Sequence, residues 1–225
     1  MKKVILLLAM LVFCLPSFAV EVDVVTQESK IQNQINEIAF KLLNGSRIDK
    51  IIPTYYEPSK KGVNAYADLR KTAHIQKGIM RFLKTDDELA AVIAHEIAHA
   101  MDLHKGPFSI VPMVLNSKAY EFRADKQGVD LMVNAGYNPV AMIVAYTKVM
   151  PQVYIDWVPL KSTHPKTSRR LAAIYEYIYL KYPQYLANNE YKDNVYYQNF
   201  LLTSKENRKR FEVKAKDPGK RVRYK

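Results

Sequence analysis

The sequence predicts one α+β domain that is mostly helical and carries a small antiparallel sheet beside its central helix. Apolar residues recur at helical spacing in several long segments of the 225-residue chain. Two short strand-like runs, residues 63–69 and 73–79, flank a three-residue turn and predict a hairpin. The sequence contains no internal repeat and no Gly/Ser linker, so we expect one domain over residues 20–185. A tyrosine-rich segment and a basic tail follow over residues 186–225.

Residues 1–19 predict a cleavable secretory signal peptide. Two lysines precede Val4–Leu15, an apolar run of 12 residues that is too short to span a membrane, and Ser17-Phe18-Ala19 fits a cleavage site. We therefore expect a periplasmic protein, or a secreted one. Cys14 raises the alternative of a lipoprotein, which the bulky Phe13 before it disfavours. Cleavage after residue 19 would leave a chain without cysteine, and hence without disulfides.

The helices are predicted from periodicity and from end signals. Residues 28–43 place apolar side chains on one stripe, as in an amphipathic helix. Thr85 and Glu88 fit a capping box at the start of the next long helix. Gly136 ends a later helix, and Pro139 and Pro165 suit first helical positions. After the hairpin, the predicted helices are 85–102, 116–135, 138–150 and one that follows Pro165.

The pentapeptide His95-Glu96-Ile97-Ala98-His99 lies inside the first of these helices. Residues four apart share a helix face, so His95 and His99 can direct imidazole nitrogens at one zinc ion. Glu96 is one step round the helix and suits a general base. Such a combination of Lewis acid and base serves the hydrolysis of a peptide bond. The sequence therefore predicts one Zn²⁺ per chain.

A third ligand is predicted on the helix over 116–135. Glu121 and Asp125 are four residues apart and share one face of that helix. We assign Glu121 as the zinc ligand, and Asp125 as the carboxylate that accepts a proton from the outer nitrogen of His95 or His99. The alternative is a solvent-exposed face that these two acids share with Arg123 and Lys126.

These motifs together resemble one protein family. They comprise residues 63–67, 75–80, 86–99 and 121–125 and the tripeptide Thr163-His164-Pro165. Over roughly residues 60–182 the chain is similar to the HtpX-like zinc metallopeptidases, gluzincins related to the CAAX prenyl protease. The resemblance implies an endopeptidase whose zinc is held by the HExxH histidines and a downstream glutamate. Soluble bacterial relatives act in the periplasm on misfolded or stalled envelope proteins.

Two departures limit what the resemblance implies. The chain lacks the additional membrane spans of the prenyl protease and of HtpX, so lipidated or intramembrane substrates are not implied. The interval between His99 and Glu121 is also short, at 22 positions. Longer relatives place a helical lid or plug there, so we expect a more open cleft or closure by another segment.

The resemblance also implies that His164 can face the zinc. In that position it would either stabilise the developing oxyanion or occupy the open coordination site and keep the enzyme latent. Arg170 is then the alternative oxyanion stabiliser. A third interpretation is a histidine near a helix start that has no metal role. The sequence does not separate these alternatives.

The hairpin has a predicted use in substrate binding. In zincins, an edge strand beside the active helix pairs with the extended substrate, which assigns Asn64, Ala65 and Tyr66 to that strand. A purely structural hairpin is the alternative. His74 in its second arm is predicted to be exposed, and neither His74 nor His104 is a ligand candidate.

The formal net charge of +12 is concentrated towards the C-terminus. Residues 201–225 contain ten Lys/Arg and three acids, and eight of the 16 tyrosines lie between Tyr175 and Tyr197. This pattern fits a tyrosine-rich helix on the core followed by a solvated tail. It also fits weak contact with an anionic membrane surface or an acidic protein. No nucleic acid partner is expected of an exported protein.

The sequence therefore predicts a zinc endopeptidase that acts on misfolded or unassembled envelope polypeptides. Two other classes remain open. One is a chaperone or assembly factor with a latent or structural zinc site, which a fourth protein ligand at His164 would favour. The other is a membrane-surface adaptor that acts through the basic tail.

Overall fold

The computed structural model describes residues 26–106, 116–153 and 167–217. The predicted signal peptide, the Thr163-His164-Pro165 element and the end of the basic tail lie outside the described residues. The predicted α+β class is confirmed, because a helical body carries one small sheet. The helices that precede and follow the sheet are α1 (26–45), α2 (Lys77–Met80), α3 (Asp86–Leu103), α4 (Ser117–Asn134), α5 (Val140–Val153), α6 (Thr167–Lys181), α7 (Gln184–Ala187), α8 (Val195–Thr203) and α9 (Lys205–Lys216).

The sheet has three strands, β1 (Thr54–Glu57), β2 (Ala65–Ala67) and β3 (Ala73–Gln76), in the order β1-β3-β2. The antiparallel pairing of β2 with β3 confirms the predicted hairpin. The sheet as a whole is mixed, because β1 pairs with β3 in parallel. The predicted antiparallel hairpin is therefore present, and β1 adds to it a parallel strand that the sequence did not predict.

The second hairpin arm is shorter than predicted. Strand β3 ends at Gln76, and α2 begins at once with Lys77. Gly78 explains the change of direction, since a Cβ there would collide with the backbone carbonyl oxygens of Lys61 and Gly62. The chain leaving β3 thus packs directly against the loop that leads into β2.

Helix α3 lies at the centre of the core. Leu89, Ile93 and Ile97 are almost completely buried, and each contributes about 1.5–3 kcal/mol by its removal from water. Five alanines of α3 are completely buried and let α4 and α5 pack closely against it; they are Ala90, Ala91, Ala94, Ala98 and Ala100. At Gly128 of α4, a Cβ would lie 3.4 Å from the backbone nitrogen of His95. The two helices that carry the predicted ligands are therefore held at short range.

The start of α3 differs from the predicted capping box. Thr85 Oγ1 accepts the N–H of Glu88 at 3.2 Å, as the N-cap prediction requires. The Glu88 carboxylate accepts the N–H of Lys84 rather than that of Thr85. Its other oxygen accepts a hydrogen bond from Lys148 Nζ of α5 at 2.6 Å, and both side chains are buried. Glu88 therefore connects α3 to α5 and also accepts a hydrogen bond at the N-terminus of α3.

Helices near the two ends of the described chain complete the core. The predicted stripe on α1 is confirmed, since Ile35, Ile38 and Leu42 are buried. The tyrosine-rich segment is helical and buries Phe200 of α8. Helix α9 packs Phe211 against Tyr179 of α6, with ring centroids 4.9 Å apart. Within the described part of the chain, no helix combines the length and apolar character that a membrane span needs.

Candidate metal centre

Helices α3 and α4 bring the three predicted ligands together. The Nε2 atoms of His95 and His99 lie 3.1 Å apart. Glu121 places Oε2 at 3.6 Å from His95 Nε2 and Oε1 at 3.4 Å from His99 Nε2. Among the described residues, these side chains form a group of histidine and acidic residues that could hold a metal ion.

The donor set and its spacing fit a zinc ion. Tetrahedral zinc with bonds of roughly 2.0–2.1 Å separates its ligand atoms by about 3.3 Å. The three measured separations, from 3.1 to 3.6 Å, bracket that value. Two imidazoles and one carboxylate are also the ligands of catalytic zinc sites, which keep a position open. The residues therefore fit the metal that the sequence predicts.

Asp125 lies behind His95, on the side away from the metal position. Its Oδ1 is 3.1 Å from His95 Nδ1, and its side chain is almost fully buried. A carboxylate at this place favours the tautomer that carries the proton on Nδ1 and leaves Nε2 free for a metal. Burial lowers the pKa of His95, but Asp125 and Glu121 outweigh it and raise that pKa to about 9, so a zinc ion would have to displace a proton from Nε2 when it binds.

Arg170 of α6 ties the two carboxylates of α4 together. Its Nε and Nη2 donate to the two oxygens of Asp125 at 2.9 and 2.6 Å, and its Nη1 lies 2.8 Å from Glu121 Oε2. Burial acts to raise the pKa of Asp125, but the guanidinium holds it below its ordinary value. The predicted role of Arg170 in oxyanion stabilisation remains a prediction. The observed contacts orient a ligand and its carboxylate partner.

Glu96 and the ligands line one cleft of about 630 Å³. Glu96 is buried on the α3 face that borders this cleft, next to His95. Its position on the cleft wall is compatible with the predicted role as general base. Arg170 lines the same cleft. His164 lies outside the described residues, so its role also remains a prediction.

Strand β2 forms the opposite wall of the cleft, where residues 63–69 line it. The N–H of Asp68 donates to Thr72, and the N–H of Gln76 donates to Asn64. Since antiparallel strands alternate, Asn64, Tyr66 and Asp68 face β3 with their backbone groups. The backbone groups of Ala65 and Ala67 point away from β3, along the edge of the sheet that no other strand of the described residues covers; we call it the free edge of β2. This edge can pair with an extended peptide.

The sequence analysis did not predict the positions of two residues near the cleft, Tyr146 and His74. Tyr146 of α5 lies edge-on to His95 with ring centroids 5.8 Å apart, and the Arg170 guanidinium lies 5.0 Å from its ring. No motif marks this tyrosine within its apolar helix. His74 was predicted to be exposed, but its side chain is only 17% exposed between Glu57 and Asp68. The alternation of apolar and polar residues along a strand does not reveal which polar side chains of neighbouring strands contact one another.

The model of peptidase family M48 matches this chain over residues 26–115 and 106–178. The match contains α1, the sheet, the metal centre and most of α6. It begins well before residue 60, where the motifs quoted from the sequence start. Among curated proteins, none matches the chain.

Proposed function

This chain belongs to peptidase family M48, and we propose that it is a zinc-dependent endopeptidase of misfolded or unassembled cell-envelope proteins. Membership in the family supports metallopeptidase activity. The observation that carries the proposal is the group of His95, His99 and Glu121 at metal-ligand spacing on the wall of a cleft.

The side chains of the centre have distinct roles in this proposal. His95, His99 and Glu121 would hold zinc, which supplies a Lewis acid for the scissile carbonyl. Glu96 accepts a proton from the attacking water and returns it to the leaving amine. Asp125 and Arg170 hold His95 and Glu121 in position. Either His164 or Arg170 stabilises the negative charge on the carbonyl oxygen.

The free edge of β2 supports the proposed substrate class. An extended peptide would form main-chain hydrogen bonds with Ala65 and Ala67, and such bonds depend little on side-chain identity. Folded proteins rarely present a free strand, whereas unfolded chains do. The predicted signal peptide supports a periplasmic location, where envelope proteins that fail to assemble are met.

Degradation of an unfolded protein tests the proposal. Zinc-loaded mature chain is incubated with casein, and Glu96→Gln serves as the matched variant. We expect the wild type to release internal fragments, identified by mass spectrometry, and the variant to be about 10³-fold slower, since general bases contribute 10²–10⁴. Zinc content and melting temperature should be the same in both proteins.

Two outcomes would contradict the proposal. An inert wild type with full zinc occupancy would favour a latent site or a chaperone. Release of terminal residues alone would make the protein an exopeptidase. Undiminished turnover by Glu96→Gln would remove Glu96 from the reaction but leave the zinc site in place.

A further inference from the structure

A polar cluster covers the sheet face that points away from α3. We call it the outer-face cluster, and its members are Glu57, Lys60, Tyr66, Asp68 and His74. Glu57 Oε1 accepts from the Tyr66 hydroxyl at 3.0 Å and from Lys60 Nζ at 2.9 Å. The cluster thereby connects β1 with β2, although these strands are not neighbours in the sheet.

His74 of β3 is at the centre of the outer-face cluster. It lies directly opposite Tyr66 in the strand register, and the two rings stack with centroids 4.7 Å apart and an angle of 10°. Its Nε2 is 3.3 Å from Asp68 Oδ2, and its Nδ1 is 3.5 Å from Glu57 Oε1. Both ring nitrogens therefore face a carboxylate.

The two carboxylates are charged at neutral pH. Burial raises the pKa of Glu57, but hydrogen bonds from Lys60 and Tyr66 outweigh it and hold that pKa below the ordinary value. Burial also raises the pKa of Asp68, while the backbone N–H groups of Thr72 and Arg70 and the His74 ring lower it overall. His74 thus has an acceptor on each side.

A neutral imidazole cannot serve both acceptors. It carries one N–H, whereas the imidazolium carries two. Among the described residues, Glu57 Oε2 and His74 Nδ1 are buried and have no hydrogen-bond partner. Glu57 Oε1 lies 3.5 Å from His74 Nδ1, so protonation would give Nδ1 a hydrogen to donate towards the Glu57 carboxylate and would leave the contact with Asp68 intact.

The contact with Asp68 matters because Asp68 ends the strand that borders the cleft. Its Oδ1 accepts the N–H groups of Arg70 and Thr72 and fixes the turn between β2 and β3. Strand β2 has only three residues, so few backbone bonds hold it. Its order therefore depends on the side chains that fasten its end and its central residue, Tyr66.

We propose that His74 is a positioning residue for substrate binding, whose imidazolium joins Glu57 to Asp68 and holds β2 in the extended form with which a peptide pairs. This inference rests on the proposed function, because it assigns substrate to the free edge of β2. Holding the strand in advance removes part of the ordering cost of binding. Peptide affinity should be higher at pH 5.5 than at pH 8, because only the imidazolium has an N–H for each of the two carboxylates.

Binding of a labelled, extended peptide to zinc-loaded Glu96→Gln protein tests the proposal without cleavage. Fluorescence anisotropy gives the Kd between pH 8 and pH 5.5, with zinc occupancy measured at each pH. We expect the Kd to be about two- to fivefold lower at pH 5.5, the size expected of a partly exposed ion pair.

Two substitutions of His74 predict opposite results in the same background. With His74→Gln, binding should be weak at every pH. With His74→Arg, binding should be tight at every pH, because guanidinium is always charged, stacks on tyrosine and reaches two carboxylates. His104→Gln is the matched control, since His104 lies at the end of α3 outside the cluster, and it should keep the wild-type pH dependence.

Amide hydrogen exchange over residues 63–69 gives a second readout that needs neither peptide nor cleavage. After correction for intrinsic exchange, protection should increase at pH 5.5 in the wild type and stay constant with His74→Gln. If His74→Gln does not fold, the pH dependence of amide protection is compared between the wild type and His74→Arg, in which protection should be constant.

A pH-independent Kd in the wild type, or the same pH dependence in His74→Gln, would overturn the inference. Absence of peptide binding at any pH would overturn it as well. Casein digestion by the wild type tests the proposed function separately, so failure of the proposed function can be distinguished from failure of the inference about His74.

Discussion

His95 and His74 each lie between two carboxylates, but their surroundings give them different properties. His95 is buried between Asp125 and Glu121, and Arg170 fixes both of these acids. His74 is partly exposed between Glu57 and Asp68, and the side chains of these two acids are themselves partly exposed. The same three side-chain types thus form a rigid centre in one region and an adjustable contact in the other.

The difference teaches that packing decides the role of such a group. The ligands of the metal centre lie on helices held together through alanines and Gly128, and the guanidinium compensates the buried charge. The outer-face cluster lies on strands of three and four residues. In the proposed function, the reaction would therefore take place on rigidly packed helices, whereas substrate would bind to a short strand that can become more ordered.

The largest effect is expected for Glu121→Ala, which tests whether the helical centre holds metal. Zinc affinity should fall about 10²- to 10³-fold, since a closed zinc site is worth roughly 10–16 kcal/mol spread over four ligands. Competition with a chromogenic chelator measures it. Asp130→Ala on the same helix is the control and should bind zinc normally. Full occupancy in Glu121→Ala would exclude Glu121 as a ligand.

The substitution Arg170→Leu tests the rigidity of the centre. It leaves Asp125 and Glu121 without their buried cation, so the free energy of unfolding should fall by about 3–5 kcal/mol. Urea denaturation measures the loss, and Arg169→Leu is the neighbouring control. Adding Asp125→Asn should restore part of the stability. Equal stability of Arg170→Leu and wild type would mean that solvent reaches these acids.

The substitution Lys148→Met tests a second buried pair in the helical region. Without Lys148, the Glu88 carboxylate keeps only the N–H of Lys84, and we expect a loss of about 2–3 kcal/mol in urea denaturation. The double variant Glu88→Gln/Lys148→Met should regain more than half of it. A larger loss in the double variant would show that the pair is not the cause.

The smallest effect is expected at the sheet, where Ala67→Pro tests the binding edge. Proline removes an N–H that points away from β3, and edge strands accept proline there. We expect KM for casein peptides to rise about fivefold with kcat changed less than twofold, equivalent to about 1 kcal/mol. Ala67→Ser keeps the N–H and should behave as wild type. An unchanged KM in Ala67→Pro would place the substrate elsewhere.

The helices and the ligand group could be predicted because their signals are local. Thr85, Gly136 and the apolar periodicity determine where helices start and end, and the spacing of His95 and His99 places both on one face. The carboxylate of Asp125 also lies where the spacing from Glu121 predicts it. Each of these inferences needs only neighbours within about one or two turns of helix.

The remaining features depend on contacts between distant parts of the chain. The parallel pairing of β1 with β3 has no turn signal, since the strands are joined through β2. The pairing of Lys148 with Glu88 spans 60 residues. The position of His74 between Glu57 and Asp68 is determined by the order of the strands, which places β3 between β1 and β2. Periodicity contains no information about such partners, so only the folded chain reveals them.

The close contact at Gly128 has a consequence for how this protein can diverge. A Cβ there would lie 2.9 Å from the end of the Met142 side chain and in ordinary contact with the backbone nitrogen of His95, so alanine would require only that Met142 shift, whereas a longer side chain would have to displace α3 next to a predicted zinc ligand. The outer-face cluster has open space and solvent around Lys60, and it tolerates change. If the proposed function holds, relatives can therefore differ over evolutionary time in which chains they accept, and at what pH, while they keep the same zinc ligands.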